Sequence, residues 1–358
     1  MKFVILGAGL MGRLLACQLA REGHTIDLFD AGGPQAEKSA ARAAAAMLAP
    51  LAESAVTEPN VVQMGIYALT RWPTLIAQLR QPVYFQQEGT LVLWHQQDSA
   101  DAERFKRQMA ITQKLIPSLP AMQTLNAQGV TQLEPSLDGR FSQGIYLPGE
   151  GQLDNHQLLA AMLEQLQRLN VRLNWHSPRL VEEFNPGQPG QPDWVLDCRG
   201  LGAQPQWTAL RGVRGEIITV EAKEVQLRRP TRLIHPRYPI YIAPKENGIF
   251  LLGATEIESN DTSPMTVRSA LELLSAAYSV DPRFGEARIL DLVSQCRPTL
   301  PDNLPVIRRS ADRVLQINGL YRHGYLIAPA VMDVVIELIR NDSSPLSTRL
   351  SLSVQTTY

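Results

Sequence analysis

The sequence predicts an α/β fold of two interleaved domains, and three observations predict it. A glycine-rich turn follows an apolar run at the start of the chain, strand-and-glycine pieces recur in the middle and near the end, and alternating apolar runs fill the stretches between. The first piece is "KFVILGAGLMGRLLACQLAREGHTIDLFD", residues 2 to 30. Lys2 to Leu6 is short and β-rich, and from Met11 onward Leu14, Leu15 and Leu19 recur at helical spacing until Gly23 ends the pattern. Between strand and helix, Gly7, Ala8, Gly9, Leu10, Met11 and Gly12 form a G-x-G-x-x-G turn. There the first glycine permits the tight bend, the second lets the backbone approach a pyrophosphate, and the third lets the helix pack on its strand. The helix N-terminus presents free N–H groups to the phosphate. The second strand, "TIDLF", delivers Asp30, where a carboxylate can accept hydrogen bonds from a ribose diol. Strand, turn, helix, strand and acid in register point to a bound dinucleotide, NAD or FAD.

The next segment, "SAARAAAAMLAP" (residues 39–50), offers almost no side chain. It reads either as a loop or helix start bringing backbone against a second phosphate or a flat ring, or as a plain alanine-rich helix. Two later pieces separate the cofactors. "DWVLDCRGLGA" (residues 193–203) is a strand leaving into Gly200 and Gly202, and "VLQINGLYRHGYLIAPAVMDVVIELI" (residues 314–339) is a strand, a glycine-bounded turn and a helix. A Rossmann-like unit scattered in this way has another domain inserted through it, an arrangement commoner among FAD enzymes of the glutathione-reductase type than among NAD dehydrogenases. FAD is therefore the expected cofactor. Residues 1–54, 150–204 and 291–358 are assigned to the FAD-binding domain, and 55–149 and 205–290 to an α+β substrate domain on a mostly antiparallel sheet. In the latter, "PIYIAPKENGIFLLGAT" reads as two strands joined at Glu246, Asn247 and Gly248, "RGEIITVEA" as another strand, and "VRSALELLSAAYSV" as a helix laid on them.

Composition narrows the function classes. With 34 Lys and Arg against 35 Asp and Glu the formal charge is -1, so no polyanionic partner such as nucleic acid is expected. Cys17, Cys198 and Cys296 are far apart and unpaired in any C-x-x-C, which argues against a disulfide framework or a zinc site and for a reducing, cytoplasmic location. "YLIAPAVMDVVIELI" is interrupted by Asp333 and Glu337 and is too short to span a bilayer, and "MKFVILGAGLMG" meets glycines and Arg13 too early for a signal peptide. A homo-oligomer stays open.

Through "GAGLMG", "AAAAMLAP", "GVRGEIITV", "YIAPKENGIFLLGATE", "CRPTLPDNLPVI" and "GLYRHGYLIAPA", spread over nearly the whole chain, the sequence resembles the D-amino-acid oxidase superfamily of flavoproteins. Within it the likeness is greatest to the glycine oxidases associated with thiamine biosynthesis. The resemblance implies that the substrate domain's sheet roofs the flavin. It implies that Arg297, in "CRPTLPD", binds the substrate carboxylate, a task suited to a guanidinium because it can bind bidentately. Tyr241, in "IYIAPK", would support the same carboxylate through its hydroxyl. Arg322, in "YRHGYLIAP", would lie beside flavin and substrate, acting through its side chain or only its backbone carbonyl, and Met47 would wall the small pocket with His323 nearby. Ala45, Ala46, Met47 and Leu48, the second glycine turn with Cys198, Gly200 and Leu201, and the backbone at Arg179 are the implied flavin and adenine contacts. Arg322, His323, Gly324, Tyr325 and Leu326 open the last helix, whose N-terminal dipole can face an anionic reduced ring, with Pro329 expected in its first turn.

The implied reaction is oxidation of a small amino acid or amine: glycine, sarcosine or a small D-amino acid. Hydride passes to flavin N5, the imine is hydrolysed, and O2 reoxidises the flavin to give H2O2. No Ser-His-Asp, Cys-His or metal spacing stands out, so the protein's share is positioning and electrostatics. Two alternatives accompany this reading. One is a flavin dehydrogenase of D-amino acids or N-substituted glycines that passes electrons to a quinone or protein, and the other is a non-catalytic FAD-binding accessory protein. Some residues depart from the family pattern: Asp30 replaces Glu, Ala46 replaces Gly, Lys245 replaces Arg, His323 replaces Asn, and "VEEFNPGQPGQPDWVLDC" is compressed. Cys296 is offset from the position at which some sarcosine oxidases attach flavin covalently, so noncovalent FAD is expected.

Overall fold

The computed structural model describes residues 1–235 and 239–357. Its first sheet has seven strands in the order Ser353–Thr356, Val306–Ala311, Val314–Asn318, Trp194–Asp197, Lys2–Leu6, Thr25–Phe29 and Arg172–Asn174. Lys2–Leu6 is parallel to Thr25–Phe29 on one side and to Trp194–Asp197 on the other, and Trp194–Asp197 is parallel to Val314–Asn318. The three glycine-bearing pieces are thus neighbours in one sheet. Their strands are covered on both faces, which is why they read as continuous apolar runs. On one face Phe3, Ile5 and Leu196 pack with Leu14, Leu15 and Met162 from the helices Leu10–Arg21 and Asn155–Arg168. On the other, Val4, Leu6 and Val195 are covered by Val181 and Phe184. The compressed segment before the second glycine turn supplies that cover with a single 3-10 turn, Val181–Glu183.

The second sheet has nine strands, antiparallel except where Thr231–Ile234 runs beside Thr90–Trp94. Its centre is the pair Ile240–Pro244 and Ile249–Gly253, joined through Glu246–Gly248. The helix Val267–Val280 lays Leu273, Ala277 and Val280 on Ile218, Ile242 and Leu252. Arg288–Thr299 pairs along its length with Arg211–Glu221. This strand crosses the 290/291 division expected from sequence and stays with the second sheet, so Arg297 stands opposite Val213 rather than on the nucleotide domain. A third sheet of Met47–Leu48, Gly151–Leu153 and Phe85–Gln86 lies where the chain passes between the two.

One of two open local readings is decided and one expectation is corrected. The alanine-rich segment is not a helix: it runs through turns into the short strand Met47–Leu48 and the four-residue helix Pro50–Glu53. With little side chain to bury, it is held by its carbonyls. Ala41 O accepts from the Tyr325 hydroxyl at 3.0 Å, Arg42 O from Asn155 Nδ2 at 2.8 Å, and Ala46 O from the Leu153 N–H at 3.2 Å. The last helix, Gly324–Asn341, opens at Gly324 as expected, but Pro329, its sixth residue, lies inside it rather than in its first turn. A proline lacks the N–H that would reach back four residues. The carbonyl so released, Tyr325 O, accepts the indole N–H of fully buried Trp72 at 2.9 Å. Among the described residues no helix is long and apolar enough to cross a membrane.

Candidate active site

The first glycine turn is built from close approaches. A side-chain carbon at Gly12 would lie 1.8 Å from Gly7 O, and one at Gly7, whose φ is 93°, would lie 2.5 Å from Cys198 O. Helix and strand therefore pack tightly, and the end of the middle strand comes against the turn. A side-chain carbon at Gly9 would come within 2.8 Å of Ser39 Oγ, where the alanine-rich segment begins. Gly9 is the N-cap of the helix Leu10–Arg21 and brings no side-chain cap, so the first-turn N–H groups are left for a ligand. Asp30 accepts the Ala8 N–H through Oδ2 at 2.5 Å and the Gly32 N–H through Oδ1 at 2.6 Å, which fixes its carboxylate at the strand end.

These features open on a cavity of about 1070 Å3. From the first turn Gly7, Gly9, Leu10, Met11 and Asp30 line it. Ala45, Ala46 and Met47 line it from the alanine-rich segment, and Arg179, Cys198, Gly200 and Leu201 from the middle piece. Arg322, His323, Gly324, Tyr325 and Leu326 line it from the start of the last helix, again without a side-chain cap. Tyr241 and Arg297 reach it from the second sheet. Three expected residues lie behind the wall instead. Ala8 is buried and spends its N–H on Asp30, Gly12 sits under Gly7 O, and Leu48 turns away from its neighbour Met47 into the core.

Two departures from the family pattern have clear structural roles. Ala46 adopts φ 53°, the left-handed region that glycine enters without strain. Lys245 is buried and donates its three protons to Leu153 O at 2.7 Å, Ala45 O at 2.9 Å and Gln152 Oε1 at 3.2 Å, pinning the same segment. Burial without a close carboxylate pulls its pKa down to about 7, with only Asp154 acting against the change. Cys296 is buried, and its Sγ lies 3.4 Å from Ser259 O and 3.3 Å from Asp261 O.

The opposite end of the cavity gathers charge. Arg297 directs Nη1 and Nη2 to Thr255 O, each at 3.2 Å, and rests against Gly215. Half-buried Tyr241 packs with Met47 and Ala254 around Ala45 and Ala243. Burial pushes its phenol pKa up, outweighing the pull of Arg297 and Arg322, so the hydroxyl keeps its proton. Arg322 donates through Nε to Glu53 Oε2 at 3.0 Å and through Nη1 to Glu256 Oε2 at 2.8 Å. Glu53 also accepts from Arg232, and its Oε2 lies 3.5 Å from His323 Nδ1. Burial alone would raise the pKa of Glu53, but Arg322 and Arg232 override it and hold the carboxyl well below the usual range. His323 is buried, and desolvation lowers its pKa to about 4 despite Glu53. Its imidazole is neutral near pH 7.

Sequence reading missed Glu53, Arg232 and Glu256. Glu53 and Glu256 each stand at the end of an otherwise apolar stretch, "MLAPLAE" and "IFLLGATE", and that is the only signal either carried.

The turn opened by Gly9, two uncapped helix starts facing one cavity and a flat wall of small residues fit an FAD molecule. Comparison agrees with this reading. The family model described as FAD dependent oxidoreductase matches residues 2–338. A Rhizobium etli protein named as a thiamine biosynthesis oxidoreductase, ThiO, is 37% identical over 346 residues, covering 96% of this chain and 98% of that one. The glycine oxidase of Geobacillus kaustophilus is 24% identical, with 94% of this chain and 92% of that one covered. Its crystal structure superposes with a TM-score of 0.80 over 96% of this chain and 95% of that one, at 23% identity. An iminodiacetate oxidase from Chelativorans superposes with 0.81 over 99% and 100%, at 21% identity. The chain belongs to the FAD-dependent oxidoreductases, in the group of glycine oxidases and ThiO proteins, and FAD is its cofactor.

Proposed function

We propose that this enzyme oxidises a small amino acid to its imine and passes the electrons to O2. For glycine the overall change is glycine, O2 and water to glyoxylate, ammonia and hydrogen peroxide. Bound FAD supplies the two-electron acceptor, and the chain supplies binding, orientation and charge. The observation that carries this reading is Arg297: it faces the cavity, and among the described residues it has only carbonyl hydrogen-bond partners and no carboxylate within 4.0 Å. A partly buried guanidinium in that state is a receptor for a carboxylate, which it can grip bidentately. Tyr241 adds a hydroxyl donor beside it, and Met47 and Ala52 close the wall on a small substrate. Pinning the acid group fixes the α-carbon, and holding reactants in one geometry is a main catalytic resource of such a site.

The turn residues Gly7 and Gly9, the acid Asp30, Ala45 to Met47 and residues 322 to 326 are the proposed holders of the cofactor, with Arg179, Cys198, Gly200 and Leu201 on its nucleotide side. The test is a panel of glycine, sarcosine, D-alanine and D-proline given to the purified yellow protein without oxygen, followed by air. Bleaching by at least one amine and fast recovery with stoichiometric peroxide support an oxidase. Bleaching with slow recovery makes the protein a dehydrogenase with another acceptor, and no bleaching by any of them makes it a non-catalytic flavoprotein.

A further inference from the structure

The charge arrangement around Tyr241 allows one step further, resting on the amino-acid reaction just proposed. Three guanidiniums, those of Arg297, Arg322 and Arg232, act on the Tyr241 phenol, and all line the cavity. Two carboxylates answer two of them. Glu53 takes Arg232 and the Nε edge of Arg322, while Glu256 takes Nη1 of Arg322. Arg297 keeps no carboxylate within 4.0 Å among the described residues.

The two acids differ in access. The Glu53 side chain is 11% exposed and that of Glu256 48%. Glu53 is therefore the more deeply buried counter-charge of the cavity lining, and Glu256, the more exposed, covers the face of Arg322 that a ligand could reach. A substrate with one carboxylate can engage Arg297 and leave both pairs intact. A substrate with a second acid group directed at Arg322 meets Glu256 first, and to bind there it must displace that carboxylate and face its unpaired charge. Juxtaposing like charges in this way is how a site rejects the wrong partner.

We propose that Glu256 is a specificity-determining residue: by occupying Arg322 it restricts the site to amino acids with a single anionic group and excludes amino dicarboxylates. The residue need not touch the reacting atoms. Its effect is to keep a second cation out of use.

The test compares sarcosine with iminodiacetate, which differ by one carboxylate, as reductants of the anaerobic holoenzyme, and titrates the same protein with acetate while following the flavin spectrum. In Glu256→Gln the ratio of iminodiacetate to sarcosine reduction efficiency is expected to rise at least about tenfold. In Glu256→Asp, which keeps the charge, it is expected to stay within about threefold of the wild-type value. Glu256→Ala replaces Glu256→Gln if the latter loses its flavin. Acetate binding with an unchanged ratio in Glu256→Gln, or an equal rise in Glu256→Asp, overturns the role of Glu256 alone. A wild-type holoenzyme that responds to neither acetate nor any of these amines overturns the amino-acid reading and this inference with it.

Discussion

The Arg297 guanidinium lies so close to Gly215 on the neighbouring strand that a side-chain carbon there would come within 2.3 Å of Nη2. Gly215 provides the notch in which the arginine rests, and Thr255 O holds its other side. Gly215→Ala is expected to push the guanidinium out of line while leaving the nucleotide turn untouched. KM for the amino acid should rise at least about tenfold, roughly 1.4 kcal/mol, with flavin content unchanged. Steady-state kinetics beside the flavin-to-protein absorbance ratio checks both halves.

Trp72 and Tyr325 make a second pair whose removal has a definite cost. Trp72→Phe keeps the buried ring but strands the carbonyl released by Pro329. A buried acceptor without its partner costs about 1–3 kcal/mol, beyond the lost packing of the smaller ring. Urea unfolding should show that loss as a lower midpoint, and a midpoint equal to wild type would mean that another donor serves Tyr325 O.

Acid stability should depend on His323. The fold holds this imidazole neutral down to about pH 4, whereas the unfolded chain takes up the proton near the ordinary value of 6.5. Between these values the unfolded state binds more protons, so this contribution to stability falls as pH falls from 6.5 to 4. The span corresponds to roughly 3 kcal/mol. His323→Asn cannot titrate and is expected to flatten that part of the profile, measured as unfolding free energy between pH 4 and pH 7. An identical slope in both proteins would assign the acid sensitivity to other groups.

Gly9→Val is expected to give a colourless protein. Its side chain would meet Ser39 Oγ, the nearest atom to the added carbon, and would stand at the mouth of the turn that lines the cavity. Absorbance near 450 nm in the purified variant decides the matter, and normal flavin content would contradict the assigned turn.

What the sequence made legible is what local pattern controls. The strand Lys2–Leu6, its turn and helix, and the glycine pieces near 200 and 320 each carried a period and a breaker, and their meeting in one sheet followed from needing a common ligand. The strand Arg288–Thr299 was split between domains because its first residues, exposed Ile289, Leu290 and Leu292 among them, give no alternation that marks a pairing partner. The Glu53 network stayed hidden for a different reason. Its bonds to Arg232 and Arg322 join residues 179 and 269 positions apart, and no spacing rule reaches that far. Pro329 misled because its usual place is a first turn, and the compensating indole sits in another helix altogether.

The most direct measurement is the affinity of Arg297→Ala for acetate and glycine, read from the flavin spectrum without oxygen. Full flavin content with carboxylate binding weakened at least about a hundredfold, roughly 2.7 kcal/mol, is the expected result. Unchanged affinity in a yellow, folded variant would contradict an arginine-held carboxylate at this site.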